Sequence, residues 1–363
     1  MVATAAIVLA AGQGTRMRSE RPKPLHFLCG QPMLMHVLGA LGDLRLRRTV
    51  VVVGHGAERI SKKLTELAPA ELRLDFVEQR EQRGTGDAAS VGLTTFGVDD
   101  YDEADTVVIL PGDTPLVQPA TITALVAAHE ASGDAATVLT ARVTDPTGYG
   151  RLIRGKEGRV SHIVEEADAT PDERSVDEIN TSIYCFRLEL VRPALRRLSP
   201  DNTQGEYYLT DAVGVLRAAG HSVGAYEVMD PAEVRGVNDR AQLADAEAEL
   251  RARTNRRWLL AGVTMVDPHQ IAIDVTVEFD RDVTLFPGTL LQGATRIGAG
   301  SEIGPGTRLV DTFVGADAVV EHTVARQATI GDGARVGPFA ALEPGAVLAP
   351  GTVTGPFYTG RAD

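Results

Sequence analysis

Cysteine is nearly absent from this chain: Cys29 and Cys185 are the only two among 363 residues. They lie too far apart in sequence for a metal-ligand spacing and are too few for a disulfide framework, which suits a reducing cytoplasm. Long apolar runs are lacking too. None approaches the ~18 residues that span a bilayer, so no membrane partner is expected. The opening MVATAAIVLAAG has no Lys or Arg ahead of its apolar run and reads as a buried first strand, not a secretion signal. Positive charge is in deficit, with 36 Lys and Arg against 49 Asp and Glu and a formal net charge of −13, which excludes a broad nucleic-acid surface. Lysine is scarcest of the charged residues: Lys23, Lys62, Lys63 and Lys156 are the whole set. A lysine in the first loop therefore stands out.

Apolar residues make up 44% of the chain, enough for a large core, and the length suggests two or three domains. Short β-branched runs at 5–10, 48–54, 72–79, 105–113, 135–143, 160–166 and 179–186 alternate with helical stretches such as 32–44 and 119–132. Several runs are continuously apolar, as strands covered on both faces are. Strand–helix alternation predicts an α/β fold with a doubly wound, mostly parallel sheet, whose ligands sit beyond the carboxyl ends of the strands. A segment rich in Ala, Leu, Glu and Arg at 239–262 reads as a long, exposed connecting helix. Beyond 263, aliphatic residues recur every six positions: Leu285, Leu291, Ile297, Ile303 and Leu309, then Ile330, Val336, Leu342 and Leu348. A hexapeptide period predicts a left-handed parallel β-helix. The domains expected are thus 1–238, 239–262 and 263–363.

The first loop, VLAAGQGTRMRSERPKP at 8–24, carries two glycines, three arginines and Lys23. It lacks the Gly-Lys-Ser/Thr of a Walker A loop. It also breaks the dinucleotide fingerprint, because Met17 stands where a third glycine belongs. Gly12 and Gly14 let the backbone approach a phosphate, while Arg16 and Lys23 add a planar fork and a point charge suited to polyphosphate.

The stretch LAAGQGTRMRSERPKPL resembles the signature of the sugar-nucleotide pyrophosphorylases, and in particular the N-acetylglucosamine-1-phosphate uridyltransferase family. Further motifs fall in the family's order: EQREQRGTGDA (78–88), LPGDTPL (110–116), DPTGYGRLIR (145–154), IVEEADAT (163–170), INTSIYCF (179–186), NTQGEYYLTDAV (202–213) and GVNDRAQL (236–243). The resemblance implies an Mg2+-dependent nucleotidyltransferase of the nucleotide-diphospho-sugar transferase type, joining an NTP to a sugar 1-phosphate with release of pyrophosphate. The pair implied is UTP and N-acetylglucosamine 1-phosphate. Leu9, Ala10, Ala11, Gly12, Gly14, Thr15, Gln79, Gln82, Gly84 and Thr85 would bind the nucleotide. A primary amide such as Gln79 offers both a donor and an acceptor to a uracil edge. Gly150, Glu165, Asn180, Thr181, Tyr208 and Thr210 would hold the sugar phosphate, and Asp113 and Asn238 the hard Mg2+ cation. Arg16 and Lys23 would be the catalytic cations, with Arg18 and Arg21 left in solvent. A homotrimer through the β-helix is also implied.

Some positions depart from the family. Asp87 stands where it has His, Ser182 where it has Gly, and Pro111 where relatives carry Tyr or Ser. A different sugar or cyclitol 1-phosphate, or a different NTP, therefore stays open beside the leading pair. So does a non-catalytic nucleotide-sugar sensor, although retention of Arg16, Lys23, Asp113 and Asn238 argues against one. In the repeat domain, ALEPG (341–345) replaces a family segment with Arg at the positions of Ala341 and Glu343. GPFYTGRAD (355–363) replaces another. The expectation is that acetyltransferase activity is absent, lost by divergence, leaving the coil a structural and oligomerisation module.

Overall fold

The computed structural model describes residues 4–69, 72–97, 105–155 and 158–361. Lys156 and the last two residues of GPFYTGRAD, Ala362 and Asp363, lie outside them. Two compact units emerge, residues 1–26 with 32–243 and residues 27–31 with 244–363.

In chain order the elements are β1 (Thr4–Ala10), a short pair β2 (Phe27–Leu28) and β3 (Gln31–Pro32), α1 (Met33–Gly39), β4 (Leu46–Val53), α2 (Ala57–Leu67), β5 (Leu74–Glu78), α3 (Thr85–Leu93), β6 (Thr106–Pro111), α4 (Pro119–Ser132), β7 (Ala136–Arg142), β8 (Arg151–Arg154), β9 (Val160–Val164), α5 (Pro171–Arg174), β10 (Glu178–Arg187), α6 (Leu188–Leu195), α7 (Asp211–Ala218), β11 (Val223–Glu227) and α8 (Arg240–Leu260). The main sheet has the order β11-β7-β10-β6-β1-β4-β5, with β8 and β9 attached beside β10. β1, β4, β5 and β6 run parallel, as does the pair β7 and β11. β10 enters antiparallel between β6 and β7. Both sheet faces are covered. One core holds Ile7, Val50, Val52, Val107 and Ile109, and the other Val8, Val51, Val53, Val108 and Leu110. This is why these strands read as unbroken apolar runs rather than as alternation.

A titratable group lies within that core. His129 of α4 is buried against Thr137, 2.9 Å from Nδ1 to Oγ1, and burial pulls its pKa down from 6.5 to about 4. The unfolded chain therefore takes up this proton first as pH falls. The stabilisation is whole above pH 6.5 and is lost toward pH 4, on the order of 2–3 kcal/mol. Burial shifts Glu165, Asp211 and Asp274 the other way, so their slope opposes it. The His129 share is read as the difference between wild type and His129→Gln in denaturant melts at pH 7 and pH 4. The variant is expected to lose less stability across that range.

In the second unit, strands of two or three residues stack into three parallel sheets. Three inward columns result. Met265, Leu285, Ile303, Val320 and Val336 form one, and Ile273, Leu291, Leu309, Ala325 and Leu342 another. Phe279, Ile297, Val314, Ile330 and Leu348 form the third. Every hexad position named from the sequence is buried in this prism. The coil also runs through 310–329, where the period fades. The spacing shortens to five residues at Leu309–Val314, Val320–Ala325 and Ala325–Ile330, and the corners absorb the missing residue. Buried hydroxyls stitch successive turns. Thr295 Oγ1 donates to the Gln292 carbonyl (2.7 Å) and accepts from the Thr312 amide (3.2 Å), and Ser301 does the same for Gly315 (2.8 Å) and Ala318 (3.0 Å).

Two features of this unit were not legible in advance. Residues 27–31 belong to it: the Cys29 amide donates to the Glu247 carboxylate (2.7 Å), and the Val275 amide donates to the Cys29 carbonyl (3.0 Å). The end of α8 is also more than an exposed rod. Asn255 is buried and donates to the carbonyls of Pro268 (2.8 Å) and Ile271 (3.0 Å), while Trp258 meets Phe279 edge-on. The helix thus closes the open end of the prism.

Candidate active site

β1 is the switch point of the sheet, with β6 on one side and β4 then β5 on the other. Their carboxyl ends open on a cleft of about 730 Å³. Each strand delivers its own group. The end of β1 places Leu9, Ala10, Ala11 and Gly12 on the wall, β5 delivers Gln79, and β6 delivers Asp113 through Gly112. The cleft is also lined by Lys23, Gln82, Gly84 and Thr85 on the loop side, and by Glu165, Asn180, Thr181, Tyr208 and Thr210 opposite; Asn238 joins Asp113 at the far edge.

Four of the residues singled out in the sequence do not line the cleft. Gly14 has a φ of +63°, and a Cβ on it would lie 2.6 Å from Lys23 Cβ, so its lack of a side chain is what admits Lys23. Thr15 and Arg16 belong to a single 3-10 turn, Thr15–Met17, anchored by buried Met17. Arg16 connects to the cleft through Asn238, Nη2 to Oδ1 3.0 Å. Gly150 backs the opposite wall, where an added Cβ would come within 3.2 Å of Glu165 Oε2. Arg18 and Arg21 are exposed.

The charged centre is Lys23. Its Nζ donates to Asp113 Oδ2 at 2.5 Å and to Asn238 Oδ1 at 2.8 Å. The Val237 amide donates to the Asp113 carbonyl (2.8 Å), which holds Asn238 beside that carboxylate. One carboxylate and one amide oxygen thus converge on a single cationic point. Among the described residues no group of three or more His, Cys, Asp and Glu forms a metal cage. A carboxylate and an amide oxygen are ligands that suit a hard divalent cation, and a Mg2+ held by these two would take the position that the Lys23 ammonium fills.

On the opposite wall, burial raises the pKa of Glu165, and the Thr210 hydroxyl donates to its Oε1 (3.0 Å). Asn180 Oδ1 accepts from the Ser182 amide (3.1 Å), and the Asn180 side chain also bonds the buried Tyr184 hydroxyl. The Thr181 hydroxyl is spent on the Leu139 carbonyl (2.7 Å). Burial pushes the Tyr208 hydroxyl up to about 12, so it stays a neutral donor. The two walls are tied together: Thr85 Oγ1 accepts from the Leu209 amide (3.0 Å), and the Gly86 amide donates to the Tyr207 carbonyl (2.8 Å). Ser182 adopts a φ of +61° on the cleft wall. A left-handed backbone suits glycine, and the serine meets it next to an irregularity in β10 between Asn180 and Tyr184. Sequence reasoning missed Gln13, Tyr149, Gln204 and Glu206, which also line the cleft. Gln13 had a signal, being the polar residue between two glycines, and it reaches Gln82 (3.4 Å).

An open, mainly parallel sheet with a glycine loop, a lysine and a carboxylate at its switch point defines a nucleotide-transferring α/β domain. Residues 6–209 match the MobA-like NTP transferase domain, and the chain belongs to that family. It is 52% identical over 323 residues to the bifunctional protein GlmU of Thermobifida fusca, covering 89% of this chain and 66% of that protein. The GlmU proteins of Streptomyces avermitilis and Mycolicibacterium vanbaalenii are 48% and 47% identical, with 66% and 64% of their lengths covered. The chain therefore spans just under two thirds of the length of these three relatives. Among the described residues, no helix is long and apolar enough to cross a membrane.

Proposed function

We propose that the first unit is a cytoplasmic, Mg2+-dependent nucleotidyltransferase that forms UDP-N-acetylglucosamine and pyrophosphate from UTP and N-acetylglucosamine 1-phosphate. The observation that carries this reading is the convergence of Lys23, Asp113, Asn238 and Arg16 beside the glycine loop at the carboxyl edge of β6. The choice of substrates rests on the resemblance to the uridyltransferases and on the similarity to GlmU proteins.

The reaction needs no general base, since a sugar 1-phosphate is an anionic nucleophile near neutral pH. Its oxygen attacks the α-phosphorus, and the bond to the β-phosphate oxygen breaks as pyrophosphate leaves. The barrier is repulsion between polyanions and their alignment in line. Lys23 neutralises the triphosphate, and Arg16, bonded to Asn238, adds positive charge beside it. Gly12 and Gly14 let the loop backbone close on it. Glu165, Asn180, Thr181, Tyr208, Thr210 and Gly150 orient the sugar phosphate, while Gln79, Gln82, Gly84 and Thr85 hold the base. Asp113 and Asn238 would hold Mg2+, which would supply further charge neutralisation on the phosphates. The second unit is a structural module that assembles the chain as a trimer. Ser182 favours a second reading, a different sugar or cyclitol 1-phosphate, because its side chain lies on the wall where the family has none.

Chelation tests the metal. EDTA is expected to abolish pyrophosphate release and excess Mg2+ to restore it, with Asp113→Asn needing far more Mg2+ than wild type. Undiminished turnover in EDTA would remove Asp113 and Asn238 from the metal role.

A further inference from the structure

We propose that Asp87 sets the base preference of the cleft, by pinning the Gln79 amide so that only its carbonyl oxygen is offered to the base. The inference rests on the reading of this cleft as a nucleotide site. It concerns a residue that sequence comparison marks only as a departure from the family.

Gln79 follows β5, with its backbone amide donating to the Val53 carbonyl (2.8 Å), and its side chain is buried at the cleft wall. Its Nε2 is engaged twice, by Asp87 Oδ2 at 2.8 Å and by the Gly84 carbonyl at 3.2 Å. Both partners are pure acceptors, and a primary amide has two N–H donors, so both are consumed. The reverse orientation would set Oε1 against two oxygens. Asp87 is itself fixed, because Arg83 Nη2 donates to its other oxygen at 2.8 Å, one helical turn away at the start of α3. A side chain that could serve as donor or acceptor is thereby reduced to an acceptor, Oε1, facing the ligand.

The consequence falls on the pyrimidine edge. Uracil carries N3–H, a donor that matches Oε1. Cytosine carries an unprotonated N3, an acceptor that opposes it, and a buried mispaired acceptor lowers affinity roughly 10–100-fold. An amide in place of the carboxylate would lose this selectivity. Asn can present its own NH2 to Gln79, which leaves only the weaker contact to the Gly84 carbonyl against the reversed amide and lets Gln79 offer Nε2 to cytosine.

The test is equilibrium binding of UTP and CTP, in Mg2+, to wild type, Asp87→Asn and Asp87→Ser by calorimetry, with melting temperatures as the folding control. Wild type is expected to prefer UTP, and the CTP-to-UTP affinity ratio to rise tenfold or more in Asp87→Asn. A merely structural role would weaken both ligands equally and leave the ratio in place. A wild-type ratio near one, or an unchanged ratio in a folded variant, overturns the inference; Asp87→Ser, whose hydroxyl can also donate, supplies the answer if Asp87→Asn does not fold. Tight, selective UTP binding without any turnover would sink the enzymatic reading while leaving this assignment standing. Binding of neither pyrimidine nucleotide would overturn both.

Discussion

Replacing Lys23 with Ala is expected to lower turnover by on the order of 10²–10³-fold, the scale seen when one preorganised donor to developing charge is removed. The fold should survive. Lys23 lines the cleft, its partly buried side chain bonded to Asp113 and Asn238 and outside both apolar cores. The melting temperature should therefore drop by no more than about a few degrees. The loss should fall on kcat more than on KM, since the ammonium matters most as charge moves to the departing pyrophosphate. Lys23→Arg should not rescue. The lysine stem packs against Gly14, and a planar fork does not replace a point charge held between two oxygens. Near-normal turnover of Lys23→Ala, measured as pyrophosphate release, would withdraw its catalytic role.

The second large effect is structural. Leu309 is fully buried at the middle of an inward column, between Leu291 and Ala325. Leu309→Ala should destabilise the coil by about 3–5 kcal/mol, through lost transfer energy and a cavity the rigid corners cannot close. Each turn of a coil is supported by its neighbours, so the damage spreads to adjacent turns. Calorimetry should show the transition assigned to the second unit lowered by more than about 10 °C. Exposed Glu302, on the preceding side of the same turn, supplies the control: Glu302→Ala should stay within about 0.5 kcal/mol of wild type. Equal melting of the two variants would contradict the prism.

These two positions also mark how far the sequence could be read. Leu309 was visible because a six-residue period is a local property, and the hexad positions all point inward. The stretch between Leu309 and Ile330 was not, because five-residue sides break the period while the corners keep the geometry. The parallel strands β1, β4 and β6 announced themselves as apolar runs. β8 and β11 did not, being short and partly polar, and the antiparallel entry of β10 depends on pairing that no local pattern records. Lys23 and Asp113 were legible through motifs at two strand ends, yet their contact spans ninety positions and belongs to the fold. Arg16 was read as a catalytic cation; its side chain is not part of the cleft lining and donates to Asn238, which is. Asp87 was seen as an anomaly. Its hydrogen bond to Gln79 arises only when the loop after β5 turns back into α3.

The central claim concerns the cleft at the carboxyl edge of the sheet, and one measurement tests it most directly. Purified protein with Mg2+ is offered a grid of nucleoside triphosphates and sugar 1-phosphates, and pyrophosphate release is followed. UTP with N-acetylglucosamine 1-phosphate is predicted to be the fastest pair, with UDP-N-acetylglucosamine as the product. Absence of pyrophosphate from every pair, or a clear preference for another pair, would contradict the account.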